Sequence, residues 1–171
     1  CSQSRGLGDV YKRQAFTVGI SLSSDEKYFF ITSSDHNTSE QYYFKADEII
    51  PKPKLIDKRK RGIIYSVNSW NGNFYKHTNE DAEDFKIEKT NDLEKKEWET
   101  FIPAREEVLI GGLIFLNDWI IRSETSNALS KLILRNPKND EEEEIFFSDE
   151  KVIVPGAVSY THLRAHETGY N

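Results

Sequence analysis

Methionine is absent from all 171 residues, and cysteine occurs once, at position 1. A single cysteine leaves no disulfide framework and no thiolate metal cluster. No apolar run approaches the roughly 18–20 residues that carry a helix across a bilayer, and no secretory leader is visible. Base is not in excess either: 23 Lys and Arg stand against 29 Asp and Glu, whereas a nucleic-acid-binding surface is normally basic. Nucleic acid and membrane are therefore not expected partners. The missing methionine also predicts an internal fragment of a longer gene.

The two ends of the chain are related to each other. Back-translated with one choice of codons, Ser4–Gln14 gives a DNA segment whose opposite strand, read two bases along, encodes Val158–Glu167 and opens a codon for Thr168. Natural termini have no reason to share one DNA segment on opposite strands. The segment also resembles the transposase end and adapter of a sequencing library. Residues 1–14 and 157–171 are accordingly read as adapter-derived tails, and such segments are excluded from fold reasoning. With them go Cys1, the Gly6–Gly8 stretch as a phosphate loop, and His162 with His166, whose four-residue spacing imitates half of a zinc-binding helix. The remaining 142 residues, 15–156, carry 19 basic and 27 acidic side chains, a net charge of −8.

What is present is strand. The segments FTVGIS, KYFFIT, EQYYFKA, GIIYSV, NFYKHT, DFKIEK, VLIGGLIFL, WIIRSE and LSKLILR are short, rich in β-branched and aromatic residues, and mostly alternating. Turn chemistry such as SSDE, NSWNGN and SETSNA separates them. Only Asn91–Glu99 could form even two helical turns. The plan also repeats: aligning Tyr28, Phe74 and Trp119 gives steps of 46 and 45 residues, each with a strand upstream and a short apolar piece downstream, EIIP, TFIP and EIFF. Four short antiparallel strands about every 45 residues is the pattern of a β-propeller blade. The fold class expected is all-β, about three blades of a propeller, with a β-sandwich as the alternative. A lone arc of blades leaves open faces and edges, so the chain by itself is expected to be marginal or to associate.

Candidate chemistry is thin. His36 and His77 sit at expected turn edges without a second ligand nearby in sequence. Lys58–Arg61 is a basic run set between strands, read as a solvated loop. Asp140–Glu144 falls at an expected hairpin tip and lacks the spaced oxygens of a calcium loop. Asn37–Ser39 forms a glycosylation sequon only in a secretory context. Trp70, Trp98 and Trp119 read as packing residues, Trp119 above all. No G-x-S-x-G elbow occurs in residues 15–156, and no nucleophile, base and orienting acid can be grouped. No catalytic, cofactor-binding or metal residue is assigned, and no cofactor is expected.

Three stretches, taken in order, resemble one family. Trp98, Ile102, Pro103, Arg105, Glu106 and Val108 fit a line W-x-x-x-I-P-x-R-E-x-V, followed by Asp118, Trp119 and Ile120. Tyr65, Phe74, Tyr75 and Asn79 fit a stretch ending F-Y-L-R-T-N, and Thr38, Ser39 and Glu40 fit the blade before it. The series resembles the propeller of the oligopeptidase B branch of the prolyl oligopeptidase family of serine peptidases. That resemblance implies a seven-bladed propeller in a cytoplasmic endopeptidase that cuts short peptides after Arg or Lys. It places the catalytic Ser, Asp and His in a C-terminal α/β-hydrolase domain beyond Gly156, and makes the propeller a size filter. Loops such as Pro103–Glu107 become candidates for interdomain contacts, and an acidic channel wall would steer basic peptides. The alternatives are a stand-alone propeller serving as an interaction or ligand-binding module, and a propeller glycosidase, which needs paired carboxylates at the channel mouth.

Overall fold

The computed structural model describes residues 16–145. The tails 1–14 and 157–171, and with them Cys1, Gly6–Gly8, His162 and His166, lie outside the described residues. Twelve strands, and no helix among the described residues, form three four-stranded antiparallel sheets in chain order. The first contains β1 (Thr17–Leu22), β2 (Tyr28–Ser34), β3 (Ser39–Lys45) and β4 (Lys54–Leu55). The second contains β5 (Tyr65–Trp70), β6 (Asn73–Thr78), β7 (Lys86–Thr90) and β8 (Glu99–Ile102). The third contains β9 (Leu109–Phe115), β10 (Ile120–Ser126), β11 (Leu129–Arg135) and β12 (Glu142–Ile145). The chain divides between Glu106 and Glu107 into two compact units, one with the first two sheets and one with the third.

Cross-strand register explains why the sequence is apolar at both phases of its alternation. In the first sheet Ile20, Ile31, Tyr42 and Leu55 form one row, while Ser21, Phe30, Tyr43 and Lys54 form the next row on the opposite face. The Phe30 face packs against the second sheet around Ile56, Tyr65, Val67, Phe74 and Leu93, with Tyr28, Tyr43 and Trp98 alongside. The opposite face leaves Val18 and Ile20 68% and 64% exposed.

Local chemistry sets the turns. Asn71–Gly72 and Asn127–Ala128 are two-residue hairpin loops with positive φ at both positions, the mirror-image turn that matches strand twist. In the third sheet, Gly111 and Gly112 together oppose Ser123 at a bulge. A Cβ on Gly111 would lie 2.0 Å from Ser123 Oγ, so only glycine fits there.

Three expectations need correction. The fourth strand of the first sheet is Lys54–Leu55 and not EIIP, whose Ile49 and Ile50 are 97% and 78% exposed. Pro51 and Pro53 cannot donate to a ladder, which delays pairing until Lys54. Asn91–Trp98 forms no helix, in keeping with the all-β reading; Thr90 Oγ1 and the Asp92 carboxylate accept the backbone N–H groups of Asp92 and Glu94 in place of helical bonds. Trp119 is 37% exposed, against 6% for Trp70. Finally, Tyr28 faces the second sheet and Phe74 faces the first, so the two are one residue out of phase and Asn73 is the true equivalent of Tyr28.

Candidate functional site

The most constructed region of the first unit is the seam between its two sheets. β5 is an edge strand of its meander, and its unladdered edge is closed by side chains from the first sheet. Ser39 Oγ donates to the Tyr65 carbonyl at 2.7 Å and accepts the Tyr65 N–H at 2.6 Å. Gln41 Oε1 accepts the Val67 N–H at 2.8 Å, while its Nε2 donates to Thr32 Oγ1 at 3.0 Å. At the hairpin end, Ser69 Oγ donates to Asp25 Oδ2 at 2.8 Å, and Asn68 exchanges bonds with Ser24. Exposed backbone edges invite foreign strands; here polar side chains occupy the edge.

The Tyr65 hydroxyl accepts the N–H of Gln41 and donates to the Asp57 carbonyl at 2.6 Å. Burial pushes its pKa up to about 12. Thr38 and Ser39, the last two residues of the Asn37–Ser39 sequon, are buried in this arrangement. Asn79 fixes the connector between the sheets by accepting the Ile64 N–H at 2.7 Å and donating to the Gly62 carbonyl at 2.9 Å. Ser39, Tyr65 and Asn79, which carry the family pattern here, tie the first sheet and its connector to the second.

Buried charge is paired throughout this unit. Lys76, 4% exposed, places its ammonium 2.8 Å from Glu88, 3.7 Å from Asp57 and 4.5 Å from the centre of the Trp98 ring. Burial raises the Glu88 pKa, but hydrogen bonds from Lys76 and Lys86 outweigh it and the net shift is downward. The basic run Lys58–Arg61, expected to be solvated, is partly tied down. Arg59 bonds Ser33 through its carbonyl and hydroxyl and lies 4.0 Å over the Phe16 ring, and Lys60 pairs with Glu80. His36 lies at the β2–β3 hairpin tip as expected. His77 does not: it is within β6, stacked on Phe85 at 4.6 Å.

In the third sheet Asp140 and Glu141 lie in the β11–β12 hairpin loop as expected, and the acidic run is exposed as far as Glu143, but Glu142 is bound from two other strands. Arg122, 5% exposed, binds Glu124 through Nε at 2.7 Å and grips both oxygens of Glu142 at 2.6 Å. Arg135 bonds Glu142 and Asp140 as well. The Arg122 guanidinium, with Arg135 helping, holds the Glu142 carboxyl below the usual carboxylate range. Sequence reading missed this network because its residues are distributed over three strands and only register brings them together.

Among the described residues, no group of three or more His, Cys, Asp or Glu could hold a metal ion. A cleft of about 190 Å³ in the first unit has Tyr28, Tyr43, Phe74 and Leu93 among its walls, with the Lys54–Glu94 ion pair among the residues lining it. That is below the roughly 300–1,000 Å³ of ordinary ligand pockets, and no serine, threonine, cysteine or histidine lines it. What the arrangement displays is sheet packing and paired charge.

Comparison with known proteins agrees. The family described as "Prolyl oligopeptidase, N-terminal beta-propeller domain" matches residues 8–168. Protease 2 of Moraxella lacunata is 32% identical over 113 residues, covering 59% of this chain and 16% of that protein. Oligopeptidase B from Trypanosoma brucei, in a closed form with covalently bound antipain, superposes with a TM-score of 0.73 at 20% identity, covering 81% of this chain and 21% of that one. Oligopeptidase B from Leishmania major gives 0.70 at 14% identity, covering 79% and 20%. This chain therefore spans about a fifth or less of each of these proteins.

Proposed function

Since this chain belongs to the prolyl oligopeptidase family, as part of its N-terminal β-propeller domain, we propose that it is the non-catalytic, size-filtering part of a serine oligopeptidase that cleaves short peptides after Arg or Lys. The observation that carries the reading is the succession of four-stranded meanders, the first two sewn face to face, along a chain matched almost end to end by that family. Closed blades restrict what can enter a propeller channel. The active-site Ser, Asp and His then belong to a C-terminal α/β-hydrolase domain of the same parent protein, and this chain alone is inactive.

The propeller portion is taken as residues 15–156, with 1–14 and 157–171 as adapter translation; the matched interval, 8–168, runs past both boundaries. A cytoplasmic location belongs to the same proposal. Among the described residues no helix is long and apolar enough to cross a membrane.

The deciding experiment is to sequence outward from the coding region of residues 15–156 in the source DNA. The proposal expects further blades and then G-x-S-x-G, with Asp and His following in that order. The protein encoded there should cleave short Arg- or Lys-containing peptides and spare folded proteins containing the same sequences. Blades followed by a stop codon, or an open frame with no serine elbow, would refute it.

A further inference from the structure

We propose that the β3–β4 loop carrying Ile49 and Ile50, together with the cleft beside it, forms a self-complementary patch through which two copies of this chain pair, each seating its isoleucines in the other's cleft. The inference does not rest on the peptidase reading above. It comes from a knob and a hole that lie side by side on the first unit.

The knob is the loop between β3 and β4. Its Ile49 and Ile50 are 97% and 78% exposed, although isoleucine is among the residue types most often buried. Local bonds hold the pair out. The Lys45 carbonyl accepts the Glu48 N–H at 3.2 Å, and the Glu48 carboxylate accepts the Lys52 N–H at 3.3 Å, which closes a turn around the two isoleucines. Just beyond, Pro51 and Pro53 fix their own φ angles. An apolar side chain presented from a restrained loop costs little further ordering when it binds.

The hole is the cleft of about 190 Å³ walled by Tyr28, Tyr43, Phe74 and Leu93. Too small for an ordinary ligand, it is larger than the roughly 150 Å³ cavity that accepts a benzene ring, which is room for one or two aliphatic side chains. Glu48 and Lys52, the residues that close the turn around the isoleucines, also line the cleft. Knob and hole are therefore neighbours on one surface. The exposure of Ile49 and Ile50 shows that the loop does not fill its own cleft.

That adjacency selects the occupant. A two-fold axis passing between knob and hole sets each copy's knob opposite the other's hole, the isologous geometry by which most identical chains pair. The rim suits a copy of itself as well. Lys45, Lys52 and Lys54 stand with Glu48, Asp92 and Glu94, so neither sign is in excess; a rim of one sign would repel its own copy. A contact confined to one loop and one cleft is small, and interfaces under about 1,200 Å² are weak and transient. The pair therefore forms at high protein concentration and separates on dilution.

The test is sedimentation velocity on the 171-residue chain over a concentration series, in an Ile20→Lys background that takes the open face of the first sheet out of play. The inference expects a monomer–dimer equilibrium. Ile49→Ser with Ile50→Ser should weaken it by about tenfold or more, since each buried aliphatic side chain contributes on that order. Ile49→Leu with Ile50→Leu should keep it. Both positions are exposed, so the serine variant keeps its fold, which far-UV circular dichroism checks. The place of contact is read by NMR. An isotope-labelled serine variant retains its cleft, so its Tyr43, Phe44 and Leu93 amides should shift when unlabelled chain with both isoleucines is added, and stay put when unlabelled serine variant is added. A monomer at every concentration overturns the inference, as does a dimer indifferent to the serine substitutions. Shifts confined to Val18–Leu22 or to the third sheet overturn it in favour of association through an open sheet face. Each of these results leaves the peptidase reading untouched, because the downstream DNA decides that.

Discussion

Ser39→Ala removes one oxygen atom and tests the seam directly. The Ser39 hydroxyl binds the Tyr65 carbonyl at 2.7 Å and the Tyr65 N–H at 2.6 Å, and the residue is 2% exposed. Alanine leaves both backbone groups in place and dry. The space vacated by one oxygen is smaller than the roughly 30 Å³ share of a water molecule, so water does not substitute. Each orphaned buried group costs about 1–3 kcal/mol, which puts the loss at roughly 2–6 kcal/mol for the pair. A domain's whole stability is only about 5–15 kcal/mol, so the loss should be plain in a urea titration of the 171-residue chain followed by tryptophan emission. Trp70, at the end of β5, is buried and reports on this sheet. Hydrogen exchange gives the local reading: the Tyr65 amide should lose protection disproportionately to the amides of β7. Ser130→Ala is the internal control, because Ser130 is exposed and such substitutions stay within about 0.5 kcal/mol. Equal effects of the two substitutions, or a Ser39→Ala midpoint within error of the parent chain, would refute the claim that the hydroxyl closes the β5 edge.

Four further outcomes follow from the same geometry. Gly111→Ala should destabilise the third sheet by about 1–3 kcal/mol, the range for overpacking, because its Cβ would meet Ser123 Oγ at 2.0 Å; Ser123→Gly should recover part of the loss in thermal melts. Ala128→Gly should raise the melting temperature, since Ala128 holds φ at +61° and a left-handed backbone costs a non-glycine residue about 1–2 kcal/mol. Stability should fall on acidification, because Glu142 and Glu88 both have folded pKa values below their ordinary ones. The unfolded chain then binds more protons, so their contribution is present above the ordinary carboxylate range and lost as pH drops through the lowered folded values. Urea midpoints from pH 7 to pH 3 should show this decline, and Glu142→Gln should flatten it. Ile20→Lys should reduce self-association in sedimentation velocity without altering far-UV circular dichroism, because Ile20 lies on the open face of the first sheet and is 64% exposed; unchanged association would mean that another surface mediates it.

The sequence by itself determined the strands. NFYKHT and LSKLILR form β6 and β11 as read, and the hairpin loops fall at Asn71–Gly72 and Asn127–Ala128 because turn chemistry is local. The repeat of about 45 residues and the all-β class were equally legible, since alternation and spacing survive in one dimension. Tertiary structure decided everything that depends on which face meets what. Tyr28 and Phe74 look interchangeable along the chain, yet they face each other across a seam and are one residue out of phase. Trp119 has the side chain of a core residue yet is 37% exposed, because burial depends on what packs against a face and not on the side chain alone. Within the exposed acidic run, Glu142 looks like its neighbours until β10, β11 and β12 align and set Arg122 and Arg135 on it. Ser39 and Ser130 make the same point most simply. They are the same residue, each on a strand of a hairpin, yet one is buried against the neighbouring sheet and the other is open to water, because a strand's own sequence does not say what covers its face.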